Sequence, residues 1–197
     1  MTAPSYLDIR TNMNACGAIL LFSSLFILSA VRNDELVVPD NAPATVESVD
    51  LERYQGLWYE LARLPVIFQR DRDRSTAEYE LMDDGSVSII NTSISPRGRT
   101  RSVTGSAVPV EGTNNTRLKV NIDNFFARTF GSSPEFGNYW ILKLEPDYSL
   151  ALVGSPDRNT LWLLSREPSI PQEKFEQYID AAEAAGYDTD DLIINNG

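Results

Sequence analysis

The stretch "GLWYELARLP", residues 56–65, decides how this chain folds. It sets Trp58 two residues after Gly56, at the start of the first strand-like run. A bulky indole there needs a surface to pack on, and the glycine gives the backbone freedom just before it. The following sequence shows what surrounds that indole. Strand-like runs recur at 58–64, 76–81, 87–94, 100–108, 117–122, 139–144, 149–153 and 161–165. Turn signals such as "DDG", "SPRGR", "EGTNN", "EPD" and "SPDRN" separate most of them. Several runs alternate: Ala77, Tyr79 and Leu81 against Glu78 and Glu80, Leu118, Val120 and Ile122 against Lys119 and Asn121. Eight such runs with hairpin-length links predict an antiparallel up-and-down barrel or a sandwich. A barrel of eight strands is just wide enough for one small ligand.

A helix follows. Pro171 suits its first position, Phe175, Tyr178, Ile179 and Ala182 recur at helical spacing, and Gly186 can close it in the left-handed conformation. Its single apolar stripe predicts packing on the outside of the strands. Ahead of the domain, residues 15–31 form an uncharged apolar run after Arg10. Residues 1–33 read as a signal peptide or a retained membrane anchor. As a helix the run spans ~26 Å at ~1.5 Å per residue, against a hydrocarbon core of ~30 Å. Residues 34–50, acidic and proline-bearing, read as a linker to a domain spanning 51–197, with the strands in 51–168 and the helix and tail in 169–197.

Composition excludes several chemistries. The net charge is −11, from 28 acidic and 17 basic residues, so nucleic acid, which needs a basic face, is not a partner. With no histidine, Ser-His-Asp and Cys-His catalysis, histidine-ligated zinc and histidine-bound haem all drop out. The single cysteine, Cys16, lies in the apolar N-terminal run and can form no internal disulfide. No G-x-S-x-G elbow is present. No cofactor, metal or catalytic residue is expected.

Gly56-Leu57-Trp58-Tyr59 resembles the first signature of the lipocalin family, G-x-W at the start of the first strand. "LEPDYSLALVGSPDRNTLWLLSREP", residues 144–168, is similar to the family's second and third signatures, with Asp147-Tyr148 and Arg166 in the matching places. "AEYELMDDGSVSIIN", "LWLLSREP" and "AAGYD" resemble the branch of bacterial outer-membrane lipocalins, plant temperature-induced lipocalins and apolipoprotein D. The resemblance implies an all-β, eight-stranded antiparallel up-and-down barrel with a C-terminal α-helix packed outside. Trp58 would close one end of the barrel under the guanidinium of Arg166, with Gly56 leaving room for the chain to cross beneath. It implies a protein that carries or stores a fatty acid or lysophospholipid, in membrane maintenance or stress response, at the periplasm, outer membrane or cell envelope. Bacterial lipoprotein members carry an acylated cysteine just after the hydrophobic stretch. Here Cys16 stands before most of it.

If Trp58 marks the closed end, the connections at 65–75, 95–99, 123–138 and 154–160 lie at the mouth. Eight arginines fall in or beside them: Arg70, Arg72, Arg74, Arg97, Arg99, Arg101, Arg128 and Arg158. They are either solvated loop charges or a rim attracting an anionic head. The third of these loops, "DNFFARTFGSSPEFGN", carries Phe125, Phe126, Phe130 and Phe136. These either fold inward as a plug or form an apolar lip, opposite Phe68, for a membrane, a second copy in a homodimer or the ligand tail. Strand parity puts Glu60 and Ala62 on Trp58's face, with Tyr79, Ile89, Val120 and Trp162 as further pocket candidates. Tyr139 or Trp140 must also point inward. Glu60 is either a ligand contact or paired with a buried arginine. Three functions follow: a lipid carrier, a lipocalin-like enzyme using carboxylates, or a filled barrel that binds protein. The size of the central cavity separates the third from the others.

Overall fold

The computed structural model describes Val38 and residues 40–67, 69–122 and 135–195. Eight strands, β1 (Gly56–Arg63), β2 (Arg74–Leu81), β3 (Val87–Ile94), β4 (Thr100–Pro109), β5 (Arg117–Ile122), β6 (Tyr139–Leu144), β7 (Leu150–Gly154) and β8 (Leu161–Ser165), pair antiparallel in chain order. β1 pairs with β8 on one edge and with β2 on the other, which closes the barrel. The eight strands lie where the alternation and turn signals put them, within two residues at each end. Closure decides between the two architectures that patterning alone allowed.

Three features go beyond the sequence reading. A one-turn helix, α1 (Leu51–Tyr54), precedes β1 and is capped by Asp50, whose side chain accepts from the Glu52 and Arg53 amides at 3.0 and 3.3 Å. Part of the expected linker belongs to the folded unit. The Val46 amide donates to the Ile141 carbonyl, the Val49 amide to that of Asn114, and Val49 is buried in the core. A short last strand, β9 (Ile193–Ile194), pairs with β1 at Ala62 and Arg63. Its place is available because β2 pairs only with the first half of β1, from Gly56 to Tyr59. The expected N-terminal signal or anchor lies outside the described residues.

Burial divides into two cores. Inside the barrel, Tyr54, Trp58, Tyr79, Ile89, Leu118, Tyr139 and Ile141 pack together. Outside, Leu61, Leu150, Leu152, Leu161 and Leu163 meet Tyr178, Ala182 and Tyr187. The second set includes the stripe of α2 (Gln172–Ala184). β7 and β8 are therefore buried on both faces, which explains their nearly unbroken apolar runs "LALVG" and "LWLLS". Pro171 caps α2 from just outside rather than opening it, one residue from its expected position. Gly186 ends it at φ +86°, and the Gly186 amide donates to the Glu183 carbonyl.

Candidate functional site

The closed end is built around Trp58, whose side chain is fully buried. Its Nε1 donates to the Tyr54 carbonyl at 2.8 Å, and the Arg166 guanidinium lies 3.8 Å from the ring centroid. The same guanidinium donates to the carbonyls of Arg53, Tyr54, Gln55 and Leu57 at 2.7–3.1 Å. Three of those carbonyls lie where α1 ends, and the fourth, that of Leu57, at the start of β1. Gly56 takes φ +93°, and a Cβ there would make only ordinary contact with Arg166 at 3.4 Å. The position requires glycine for its backbone angle, which turns the chain from α1 into β1, rather than for space. Tyr148, at φ 63°, completes the end: its hydroxyl accepts from the Asp50 amide and its ring carries the Arg53 guanidinium at 4.0 Å.

Above Trp58 a cluster of three tyrosines underlies the cavity, and two of them, Tyr79 and Tyr139, line it. Tyr54 and Tyr79 stack with centroids 5.7 Å apart, and Tyr139 meets Tyr79 edge-on. The Tyr139 hydroxyl lies 2.9 Å from that of Tyr54 and 3.1 Å from that of Tyr79. Burial keeps these phenols protonated. It pushes Tyr79 up to about 12, and Tyr54 and Tyr139 well above the ordinary tyrosine range.

The cavity over this floor has a volume of about 170 Å³. One water needs on the order of 10–15 Å³ by the same kind of measure, so the barrel is not filled by its own side chains. Its deep walls are apolar: Ala77, Ile89, Val103, Val120, Ile122, Trp162 and Leu164. Toward the mouth the lining turns polar, through Glu60, Gln69, Asp73, Ser75, Asn91 and Ser93, with Arg70 and Arg101. Both arginines are exposed, and among the described residues neither is ion-paired.

Glu60 sits at the change from apolar to polar lining. Its carboxylate is ion-paired with Arg63 Nε at 3.2 Å and accepts hydrogen bonds from Gln69 Nε2 at 2.9 and 2.7 Å and from Asn195 Nδ2 at 2.9 Å. Burial nonetheless raises its pKa, against the opposing pull of Gln69, Arg63 and Asn195. The pairing with a buried arginine, one of the two roles open for Glu60, is therefore present, and the carboxylate also lines the cavity. Through it the first mouth loop, β1 and the C-terminal segment share one set of hydrogen bonds.

Six of the eight expected pocket residues line this cavity: Glu60, Tyr79, Ile89, Val120, Tyr139 and Trp162. Ala62 does not. A bulge between Glu60 and Ala62 shifts the register, so that Ala62 pairs with Leu163 and packs in the outer core while Arg63 pairs with the inward Trp162. Parity along a regular pleat could not anticipate that shift. Phe68, Phe125, Phe126 and Arg128 lie outside the described residues. Of the long loop's four phenylalanines, Phe136 alone is among the described residues; it is buried edge-on to Trp140 and does not line the cavity. Trp140 is buried beneath the Arg117 guanidinium, away from the cavity lining.

Among the described residues, the arginines expected at the mouth separate into those that line the cavity and those that do not. Arg97 and Arg99 are exposed on the β3–β4 hairpin and do not line the cavity. Arg158 is taken up elsewhere: its Nε donates to the Ala185 carbonyl at 2.8 Å and its Nη2 to the Asn41 carbonyl. The cavity-lining arginines are Arg70 and Arg101. Cross-strand parity held the signal for Arg101, since Ser93 faces Arg101 and Asn91 faces Val103 in the row that continues from Ile89. Nothing in the sequence distinguishes Arg70 from Arg72 or Arg74.

Fold and site together define an antiparallel eight-stranded cup, sealed by a tryptophan–arginine stack and hollow above it. The chain belongs to the lipocalin family: the family model described as a lipocalin-like domain matches residues 49–196. It is similar to the outer membrane lipoprotein Blc of Citrobacter freundii, at 35% identity over 85% of this chain and 93% of that one. Temperature-induced lipocalin-1 of Arabidopsis thaliana is 36% identical over 75% of this chain and 78% of its own. Among solved structures, insecticyanin from the tobacco hornworm Manduca sexta shares the fold, with a TM-score of 0.55 at 19% identity over 81% of this chain and 85% of that one.

Proposed function

We propose that this protein binds one single-chain amphiphile, a fatty acid or lysophospholipid, with its tail in the barrel and its anionic head between Arg70 and Arg101. The carrying observation is the cavity's polarity, apolar below and bearing at the mouth two exposed guanidiniums that are not ion-paired among the described residues. Each buried methylene contributes ~0.8 kcal/mol, so a long tail supplies most of the affinity before association costs. The head adds orientation and a preference for negative charge. Binding, rather than catalysis, fits a chain without histidine whose single cysteine lies at position 16. The apolar run at 15–31 and the similarity to proteins named outer membrane lipoproteins support export to the cell envelope, with membrane lipid as the source of ligand.

Titration calorimetry below the critical micelle concentration tests the head. A lysophosphatidic acid is compared with a monoacylglycerol of equal chain length. Because both arginines are exposed, each contact is partly screened, and roughly a tenfold preference for the acid is expected. Arg70→Gln with Arg101→Gln should erase it, whereas Arg97→Gln with Arg99→Gln should not. Equal affinities in the wild type would reduce the rim to solvated charge. Failure of both lipids to bind would overturn the carrier reading itself.

A further inference from the structure

The tyrosine floor has one more hydrogen-bond donor than it uses. Three phenol hydroxyls carry three protons, and two contacts join them, Tyr54 to Tyr139 and Tyr139 to Tyr79. Each contact consumes one proton. No other described residue accepts from any of the three hydroxyls, so one O–H remains unspent. Three arrangements are possible because Tyr139 can donate only once. The spare proton falls on Tyr139 when both neighbours donate to it, on Tyr79 when Tyr54 donates to Tyr139 and Tyr139 to Tyr79, and on Tyr54 in the reverse sense. Tyr79 and Tyr139 line the main cavity, and Tyr54 does not. Two of the three arrangements therefore assign the free donor to a residue of the cavity floor.

We propose that the floor of the cavity is a second polar subsite, in which Tyr79 or Tyr139 donates a hydrogen bond to a neutral oxygen on the buried portion of the ligand. The ligand class is an amphiphile whose chain carries a hydroxyl or keto group at depth, rather than a chain that is hydrocarbon throughout. This rests on the carrier reading and refines it. Three further features favour a neutral acceptor. Burial holds the phenols in their protonated, donating form. The Ile89, Val103 and Val120 walls offer no counter-charge for a carboxylate. The guanidinium beneath, Arg166, is committed to main-chain carbonyls and the Trp58 ring. An unspent buried donor is costly, so an acceptor that reaches it gains more than the same oxygen stranded against an apolar wall.

The test uses positional isomers of one monohydroxy fatty acid, equal in chain length and composition, alongside the unsubstituted acid. Calorimetry on the full chain should find one isomer, with its hydroxyl at floor depth, binding roughly tenfold more tightly than isomers whose hydroxyl falls on the walls. Tyr79→Phe with Tyr139→Phe removes the hydroxyls of both cavity-lining tyrosines and should abolish that ranking, so that all isomers bind alike whatever the change in their common affinity. Tyr54→Phe leaves two hydroxyls and one contact, so the spare proton always lies on a cavity residue and the ranking should persist or sharpen. Isomers of equal affinity in the wild type overturn the subsite, as does a ranking that survives the double variant. If the double variant does not fold, loss of the ranking in Tyr54→Phe alone overturns it. If even the unsubstituted acid fails to bind, the carrier reading fails instead, and the two failures are distinct.

Discussion

At Trp58 and Arg166 one guanidinium performs two tasks, covering an indole and collecting the carbonyls that α1 and the start of β1 leave unpaired. Trp58→Ala should cost about 3–5 kcal/mol, the range for a large aromatic in a core. Arg166→Ala should cost about 2–3 kcal/mol, combining the lost ring contact with stranded acceptors. Arg166→Lys should restore little, because a compact ammonium cannot span acceptors set around a planar fork. Urea unfolding midpoints measure all three, and wild-type midpoints for the first two would remove Trp58 from its role as plug. Glu60 is the second residue with a measurable signature. Its folded pKa lies above the 4.5 of an unperturbed glutamate, so between those values the folded chain holds a proton that the unfolded chain has released. Its contribution to stability is therefore full below about pH 4.5 and falls as pH rises toward the raised folded value. Subtracting the thermal pH profile of Glu60→Gln from that of wild type should leave a downward slope in that window. An upward slope would mean that Arg63, Gln69 and Asn195 outweigh burial.

Among the elements, legibility followed regularity. Strands with an unbroken pleat, such as β3 and β5, were readable to the residue. Where a strand serves two partners, the reading failed. β1 leaves β2 after Tyr59, bulges, and meets β8 on one side and β9 on the other, so Ala62 and Arg63 exchange the faces that parity assigns them. β9 itself is two residues long and has no pattern to read; it exists because β1 has an edge to fill. The seam between β5 and β6 is the other irregularity. Only Arg117–Trp140 and Leu118–Tyr139 pair there. Beyond them the Asn138 side chain substitutes for main chain: its Oδ1 accepts from the Val120 amide at 2.7 Å and its Nδ2 donates to the Val120 carbonyl at 3.0 Å. Asn138→Ala should speed hydrogen exchange at the Val120 amide more than at Leu118, whose strand pairing is intact. Asn138→Asp should be intermediate, retaining an acceptor for the amide but no donor for the carbonyl. Equal protection at Val120 in all three proteins would mean that the seam is held by other contacts.

On the scale of the whole molecule, a strongly acidic chain places exposed arginines at the opening of its cavity. That opposition has a thermodynamic consequence. A ligand that binds only the folded barrel stabilises it by RT ln(1 + [L]/Kd), about 2.7 kcal/mol at a hundredfold excess over Kd. For a domain of this size each kcal/mol raises the melting temperature by roughly 2–4 °C, so a lysophosphatidic acid should raise it by about 5–11 °C. On the proposed mode of binding its tail would act through burial, which salt does not screen, and its head through solvated guanidiniums, which salt does. The Debye length falls from about 8 Å at physiological ionic strength to about 3 Å at 1 M. The increment from the anionic lipid should therefore shrink with added sodium chloride, while that from a monoacylglycerol of equal length stays level or grows. In Arg70→Gln with Arg101→Gln the two lipids should give the same increments at every salt concentration. Scanning calorimetry across a salt series reads all of these, each at a fixed multiple of the low-salt Kd. Increments for the two lipids that change in parallel would show that the acidic surface and the arginine rim act on solubility alone, and that the cavity selects by tail.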